Sequence, residues 1–141
     1  MEDKSINSKV PKNTINYHHS FMVKQEEIDS LNHVNNIVYL KWVNDIAEKH
    51  WSILSNEEVN EKYFWVTVRH EIDYLQSALL GDEITVYTWV GESEGVKSIR
   101  HVHIYKGETL LVKTKTTWCL IDSKTYKPAR IRQDILKILK N

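Results

Sequence analysis

Several features that mark large classes of protein are missing from this sequence. Cys119 is the only cysteine, so no disulfide can form within the chain and nothing indicates an oxidising compartment. No run of residues approaches the ~18 apolar positions that a membrane-spanning helix needs. The first residues are polar and of mixed charge, without the apolar stretch of a signal peptide. We therefore expect a cytoplasmic protein with no membrane partner.

An excess of charge of either sign is also missing. The 19 basic and 19 acidic residues cancel, so no overall field attracts nucleic acid or an anionic surface. The sequence contains no glycine-rich phosphate loop, zinc-binding cluster or Gly-x-Ser-x-Gly nucleophile elbow. We expect no nucleic-acid partner, no metal and no cofactor, so any anionic ligand must be bound by local charges.

The composition is that of a chain that folds around one core. Hydrophobic residues make up 41% and charged residues 27% of the 141 positions, as in soluble globular domains of this length. Residues 1–14 are polar and aperiodic, which predicts a flexible tail. Residues 15–141 are then expected to form a single domain.

The first half of this domain changes from the period of a strand to that of a helix. Apolar residues alternate over Ile15–Val23, as in a half-buried strand. Over Asn36–Leu54 they recur at helical spacing around much of the circumference, which predicts a helix enclosed by other elements. Asn35 or Asn36 can cap its N-terminus. A polar connection is expected at Ser55–Glu61.

The second half of the domain has the pattern of a β-meander. Four strands are predicted, at about 64–74, 84–89, 96–105 and 109–121. Short turns join them, among them Gly91–Gly95, and a short amphipathic helix is expected after Pro128. The order predicts an α+β domain in which an antiparallel sheet packs on one long helix.

The densest polar cluster, residues 27–36, lies between the first strand and the long helix. Unpaired N–H groups at a helix N-terminus polarise a carbonyl group and stabilise negative charge that develops on it. Asp29 can then serve as a base or nucleophile, and His33 as a proton donor or orienting group. Capping alone also selects such residues, and a histidine in a loop is commonly just solvated. Both interpretations stand on the residues alone, although Asn35 and Asn36 allow one to cap the helix while the other holds a substrate carbonyl.

The run EEIDSLNHVNNIVYLKW, from Glu26 to Trp42, resembles the Asp-x-Asp-x-x-Gly-His-Val-Asn-Asn-x-x-Tyr signature of the 4-hydroxybenzoyl-CoA thioesterase family. Further likeness lies at 69–74, 80–84, 88–89 and 117–122. The resemblance implies the hotdog fold, in which a five-stranded antiparallel sheet wraps a long central helix. It also implies hydrolysis of an acyl-CoA thioester to a free acid and coenzyme A.

Roles for individual residues follow from the same resemblance. Asp29 matches the catalytic carboxylate, which acts as base or nucleophile, and His33 matches a second catalytic residue. Asn35, Asn36 and Tyr39 match positions expected to contact the substrate. The family's enzymes place the acyl tunnel and the nucleotide surface at a subunit boundary, which implies a homodimer or homotetramer here.

The chain departs from the signature at two positions. Glu27 stands where the first Asp is common, which concerns the geometry of the loop. Asn32 replaces the Gly before His33, and the sharp turn can survive because Asn is the non-glycine residue that best tolerates positive φ.

Other candidate residues have less support from the sequence. Arg130, with Lys127, can meet the phosphates of coenzyme A after the last strand, or can simply form a solvated basic turn. His101 and His103 share a strand face at a spacing that can chelate metal, but no third ligand is evident. Cys119 is expected to be buried and inert.

Alternatives to an acyl-CoA thioesterase remain open on the sequence. The same chemistry on acyl carrier protein is the nearest, and a non-catalytic hotdog protein that binds acyl thioesters is the other. A hotdog dehydratase is disfavoured because its motif, with Asp and His five positions apart, is not present. The resemblance favours a medium to long aliphatic acyl group, and hence a role in fatty acid metabolism, over an aromatic one.

Overall fold

The structure is a computed structural model that describes residues 9–140. Its strands are β1 (Asn16–Met22), β2 (Tyr63–Tyr74), β3 (Glu83–Glu94), β4 (Lys97–Lys106) and β5 (Thr109–Asp122). They are accompanied by the helices α1 (Asn36–Leu54), α2 (Glu57–Lys62) and α3 (Gln133–Lys140) and by a 3-10 turn at Gln25–Glu27. Most of the predicted tail, residues 1–8, lies outside the described residues.

The strands form one antiparallel sheet in the order β1-β3-β4-β5-β2. Helix α1 packs against this sheet, chiefly on β3 and β1. The predicted α+β class, with a long helix on a five-stranded antiparallel sheet, is therefore confirmed.

The expectation of a simple meander is wrong for β2. This strand pairs with β5 at the edge opposite β1, so only β3, β4 and β5 follow one another through the sheet. Tight turns are specified by local residues, whereas the partner of β2 is decided by pairing across the whole domain. Residues 75–82 must consequently cross the end of the sheet, and the N–H groups of Leu75 and Gln76 donate to the Leu111 carbonyl at 2.8 and 3.1 Å.

Helix α1 begins and ends where the sequence predicts. The side-chain oxygen of Asn35 accepts a hydrogen bond from Ile37 N at 3.0 Å and caps the first turn. Its buried face consists of Tyr39, Trp42, Val43, Ile46, Ala47 and His50. On the side of α1 away from the sheet, Ile37 and Ile53 are 75% and 59% exposed.

The predicted polar connection at Ser55–Glu61 is wrong in type. Its residues form most of α2, because the Asn56 side chain accepts a hydrogen bond from Val59 N at 2.9 Å and so caps a helical turn. Val59 is buried, and this one apolar contact fixes the face that the short helix turns inward.

The predicted turn at Gly91–Gly95 is also too long. Strand β3 continues past an irregularity after Val90, and Ser93 pairs with Ser98 across the hairpin. The chain reverses at Gly95, whose φ of 63° is one that side-chain-bearing residues rarely adopt. The Gly91 end of the stretch therefore belongs to the sheet.

The apolar interior is divided between the two ends of the sheet. One cluster joins α1 to β1, β3, β4 and β5, and includes Val34, Tyr39, Trp42, Ala78, Ile84, Val102 and Leu111. The other lies beneath α3, and consists of Val59, Val90, Leu120, Ile131, Ile135 and Leu139. The first cluster lies under the loop that carries Asp29, and the second lies near the far end of α1.

Candidate active site

The loop between β1 and α1 is tied to the β2–β3 connection by backbone hydrogen bonds. Val23 N donates to the Asp82 carbonyl at 2.9 Å, and Val34 N donates to the Ala78 carbonyl at 3.0 Å. Because Val23, Val34 and Ala78 are all buried, both ends of the loop are anchored in the core. The two ends of the segment 24–33 are therefore held in place by the core.

The carboxylate of Asp29 is held by the backbone of its own loop. Its Oδ1 accepts hydrogen bonds from Leu31 N at 2.9 Å and from His33 N at 3.3 Å, and Asp29 N donates to the His33 carbonyl at 2.8 Å. Within residues 9–140 no hydrogen bond uses Oδ2. One oxygen therefore orients the half-buried carboxylate, and the other makes no hydrogen bond within the described residues.

Asn32 makes the turn between Asp29 and His33. Its φ is 66°, and its N–H donates to the Asp29 carbonyl at 3.1 Å. The prediction that Asn can replace Gly at this position is confirmed, because the left-handed conformation is the one that Asn tolerates best among the other residues.

The imidazole of His33 is exposed and is not joined to Asp29. The backbone N and carbonyl of His33 bracket Asp29, but the part of the chain that the structure describes provides no hydrogen bond to the ring. The backbone of His33 also pairs with Leu79. The structure therefore connects Asp29 to the backbone of His33, whereas the His33 ring is exposed and makes no contact with the Asp29 carboxylate that would count as a hydrogen bond.

The two asparagines at the start of α1 have different environments. Asn35 uses its side chain as the cap, so the predicted capping role is confirmed. Asn36 is exposed, and within the described range no hydrogen bond uses its amide side chain or its backbone N–H. Asn36 N–H is thus an available donor at the positive end of the helix dipole.

Glu27 braces the loop against α1, a role that the sequence did not reveal. Its Oε2 accepts a hydrogen bond from Trp42 Nε1 at 3.0 Å, and its Oε1 accepts one from Lys24 N at 2.9 Å. Trp42 is buried, so its indole N–H needs an acceptor. The substitution of Glu for the common Asp gives the side chain the reach to supply it.

Tyr39 is buried under the loop and does not reach the accessible surface. It is 2% exposed, its ring meets Trp42 edge to face at 5.3 Å, and its hydroxyl accepts a hydrogen bond from Ala78 N at 2.8 Å. Burial raises the pKa of the Tyr39 hydroxyl. The geometry gives Tyr39 contacts with the β2–β3 connection where the sequence predicts contacts with substrate.

Arg130 lies at the other end of the sheet from Asp29. Ile131, the neighbour of Arg130, donates its N–H to the carbonyl of Gly95, just after the end of β3. At the start of the Asp29 loop, Val23 donates its N–H to the carbonyl of Asp82, just before the beginning of β3. Exposed Arg130 and the Asp29 loop of one chain are therefore separated by the length of β3, about 36 Å. The structure therefore does not bring Arg130 next to Asp29 within one chain.

A groove with several lysines adjoins the Asp29 loop. Its volume is about 300 Å³, and Lys24, Lys41 and Lys49 are among the lining residues. Lys41 is paired with Asp45 at 2.9 Å. Lys24 and Lys49 are exposed and have no ion-pair partner among residues 9–140.

The histidines of β4 pack on an aromatic ring. Trp89 lies between His101 and His103, with ring centroids at 5.2 and 4.7 Å. Burial, with the nearby Lys113 charge, lowers the pKa of His103 to about 4. No group of three His, Cys, Asp or Glu residues suited to a metal ion occurs in the described part of the chain. Cys119 is buried, as predicted.

The helices give no sign of a membrane span: within residues 9–140, none is both long enough and apolar enough to cross a bilayer.

Comparison with known families identifies the relatives of this site. The profile of the thioesterase-like superfamily matches residues 23–139, which include the whole loop and α1. The chain belongs to this superfamily. Membership supports thioester hydrolysis as the class of reaction. No curated protein sequence gives a significant match.

Solved structures of other thioesterases share the fold. YbaW, a probable thioesterase from Escherichia coli, is 22% identical with a TM-score of 0.75, over 88% of this chain and 98% of that one. A 1,4-dihydroxy-2-naphthoyl-CoA thioesterase from Synechocystis is 18% identical with a TM-score of 0.75, over 87% and 94%. An acyl-ACP thioesterase from Bacteroides thetaiotaomicron is 21% identical with a TM-score of 0.76, over 82% and 49%. These likenesses confirm the hotdog fold.

Proposed function

We propose that this member of the thioesterase-like superfamily hydrolyses an acyl-CoA thioester to a free carboxylic acid and coenzyme A, with Asp29 as the catalytic carboxylate. The observation that carries the proposal is the fixed loop that holds Asp29 a few residues before the start of α1. Asp29 Oδ1 is fixed by two backbone N–H groups, Oδ2 is open, and the N–H of Asn36 at the helix terminus is unused within the described residues.

These groups can divide the work of hydrolysis. Asp29 either removes a proton from the attacking water or attacks the carbonyl carbon itself to form an anhydride that water then opens. The oxygen of the tetrahedral intermediate gains negative charge, which Asn36 N–H and the helix dipole stabilise. The carbon–sulfur bond then breaks and coenzyme A leaves as a thiolate that takes up a proton. We place the exposed His33 ring beside the leaving group as the source of that proton.

We assign Asn36 to substrate contact and give Asn35 and Tyr39 indirect roles. The free side chain and N–H of Asn36 favour contact with the thioester carbonyl. Asn35 acts by capping the helix, and Tyr39 acts by holding Ala78 beside the loop through its 2.8 Å hydrogen bond. Both are positioning residues in this proposal.

Two observations favour coenzyme A over acyl carrier protein. The chain spans 94% of the Synechocystis CoA thioesterase but only 49% of the Bacteroides acyl-ACP thioesterase. Its length therefore matches that of the CoA thioesterase. The groove beside the loop also offers Lys24 and Lys49, whose charges are free to bind phosphate.

We further propose that the protein is a cytoplasmic homodimer or homotetramer. Strand β2 is at the edge of the sheet, and Phe64, Val66 and Val68 on it are 37%, 36% and 51% exposed. A long edge strand with exposed apolar side chains is a template for pairing with another chain. Such a partner would also allow Arg130 to serve the site of the other subunit.

Thiol release from a panel of purified acyl-CoAs and acyl carrier protein thioesters tests the function. We expect turnover of acyl-CoA by the native chain and a loss of about 100-fold or more in kcat for Asp29→Asn. Glu92→Gln, an acid-to-amide change at an exposed position in β3, is the matched control and should keep native turnover. Native turnover by Asp29→Asn would exclude its catalytic role. Turnover confined to acyl carrier protein substrates would reassign the carrier, and binding without turnover would indicate a binding protein.

A further inference from the structure

A second cavity lies away from the Asp29 loop, between α1, β2 and the neighbouring part of β4 and β5. Its volume is about 280 Å³, and its walls include Ala47, Trp51, Trp65, Ser98, Arg100 and Trp118. Ala47 is eleven residues beyond the first residue of α1, which places it about 16 Å along the helix. The cavity is thus separate from the site assigned to hydrolysis in the same chain.

Arg100 brings a positive charge into this cavity. Its side chain is buried, with the residue only 7% exposed, and its Nη1 lies 2.8 Å from His50 Nδ1 and donates to Thr88 Oγ1 at 3.0 Å. Neither partner carries a charge. Thr88 offers a hydroxyl group, and His50 is neutral because burial and the charge of Arg100 lower its pKa to about 4. Among residues 9–140 no carboxylate forms an ion pair with Arg100. Its charge is therefore uncompensated, which is costly for a buried group.

The guanidinium has hydrogen-bonding capacity to spare. An arginine carries five N–H donors, and both bonds of Arg100 are made by Nη1. In the described chain Nε and Nη2 have no hydrogen-bond partner. These two nitrogens form the edge of the group that binds both oxygens of a carboxylate in parallel.

Trp118, which also lines the cavity, carries a second unused donor. Its Nε1 is buried and has no hydrogen-bond partner in residues 9–140, although buried indole N–H groups ordinarily find one. Trp51 and Trp65 pack edge to face at 5.6 Å and make another part of the wall aromatic. Glu48 also lines the cavity, but it is exposed, so water and salt screen its charge.

We propose that this cavity binds an apolar organic carboxylate, with Arg100 as the paired cation and Trp118 Nε1 as an additional donor. The aromatic walls suit an apolar body, and the open Nε and Nη2 edge suits a carboxylate. The proposal rests on the cavity and stands apart from hydrolysis at Asp29. Such a ligand can come from the free acid that hydrolysis releases, or from an acyl group that carries a carboxylate at its far end.

Tryptophan fluorescence offers a direct test, because three of the five tryptophans line the cavity. The native chain is titrated with octanoate and phenylacetate, and with octanamide and phenylacetamide, which have the same shape without the charge. We expect saturable changes with the carboxylates at concentrations about 10-fold lower than with the amides, since hydrogen bonds to a charged group are stronger than those to a neutral one. Equal affinity for the two series, or no saturable change with either, would overturn the proposal.

Variants identify the groups responsible. Arg100→Gln should reduce the preference for carboxylate over amide to within about 2-fold, and the exposed control Arg132→Gln should leave it at the native value. Trp118→Phe keeps a ring while removing the N–H, and should weaken carboxylate binding several-fold with little change for the amides. This second variant decides the matter if Arg100→Gln does not fold. Unchanged carboxylate preference in folded Arg100→Gln would contradict the proposal.

A kinetic arm separates the two sources of the carboxylate. If it belongs to the acyl group, whose chain must then be long enough to extend from Asp29 to the cavity, Arg100→Gln raises KM for hexadecanedioyl-CoA and leaves KM for hexadecanoyl-CoA unchanged. If it is the free acid, the same variant weakens inhibition by added octanoate and leaves both KM values unchanged. The fluorescence titration needs no turnover, so carboxylate binding at Arg100 can be measured even in a chain that hydrolyses no thioester.

Discussion

Trp42 Nε1 donates a hydrogen bond to Glu27 Oε2 at 3.0 Å and so joins the second turn of α1 to the loop that carries Asp29. Trp42 is part of the core, whereas Glu27 lies only two residues before Asp29. The bond therefore attaches the loop that carries the candidate catalytic carboxylate to the core. The other oxygen of Glu27 accepts from Lys24 N, which closes the 3-10 turn at the start of the loop.

We predict that Glu27→Ala destabilises the protein by about 1–3 kcal/mol, because it leaves the buried Trp42 N–H without an acceptor. Glu27→Gln keeps one carbonyl oxygen for Trp42 and should lose less than half as much. Urea denaturation measures both differences. Equal stability of Glu27→Ala and the native chain would show that the Trp42 N–H has another acceptor. The activity of Glu27→Gln should exceed that of Glu27→Ala, since the loop keeps its tie to α1.

The turn at Asn32 gives a second prediction. Its φ of 66° lies in the left-handed region, which costs a side chain with a β-carbon about 1–2 kcal/mol unless it is Asn, Asp or Gly. Asn32→Ala should lose about that amount of stability, and Asn32→Gly should be within about 0.5 kcal/mol of the native chain. Thermal unfolding of the two variants is the measurement. A stable Asn32→Ala variant would mean that the loop adopts another conformation.

Asn32 also illustrates what local sequence rules can predict. The positive φ, the cap at Asn35 and both ends of α1 follow from interactions within a few residues, so each was predictable from the sequence. The contact of Ala78 with Tyr39 was not, because it depends on β2 pairing with β5 and sending its connection across the sheet. The contact of Arg100 with His50 was also not predictable. The two residues are fifty positions apart in the chain, and neither belongs to a local motif.

Asn35 and Asn36 are neighbours with separable roles, which gives a third prediction. Asn35→Ala removes the cap and should cost about 1 kcal/mol of stability. Asn36→Ala removes an exposed side chain and should leave stability within about 0.5 kcal/mol. Denaturation should therefore show Asn35→Ala to be the less stable of the two variants. Thiol-release kinetics should show the larger rise in KM for Asn36→Ala. Loss of stability in Asn36→Ala but not in Asn35→Ala would reverse the assignment of the cap.

A fourth prediction concerns acid stability and comes from His50. The residue is 2% exposed, it stacks on Tyr17 with centroids 5.6 Å apart, and burial together with the Arg100 charge lowers its pKa to about 4. An unfolded histidine has a pKa of about 6.5. Between these two values the unfolded chain binds a proton that the folded chain does not, so stability falls as the pH falls through this range.

The size of this loss follows from the two pKa values. Between pH 7 and pH 5 the His50 contribution should fall by about 2 kcal/mol. His50→Gln has no titrating ring and still offers Arg100 an acceptor. Its free energy of unfolding should therefore change by about 2 kcal/mol less than that of the native chain over the same interval. Urea denaturation of both proteins at pH 7, 6 and 5 measures the difference, and parallel curves would show that His50 is not the buried neutral partner of Arg100.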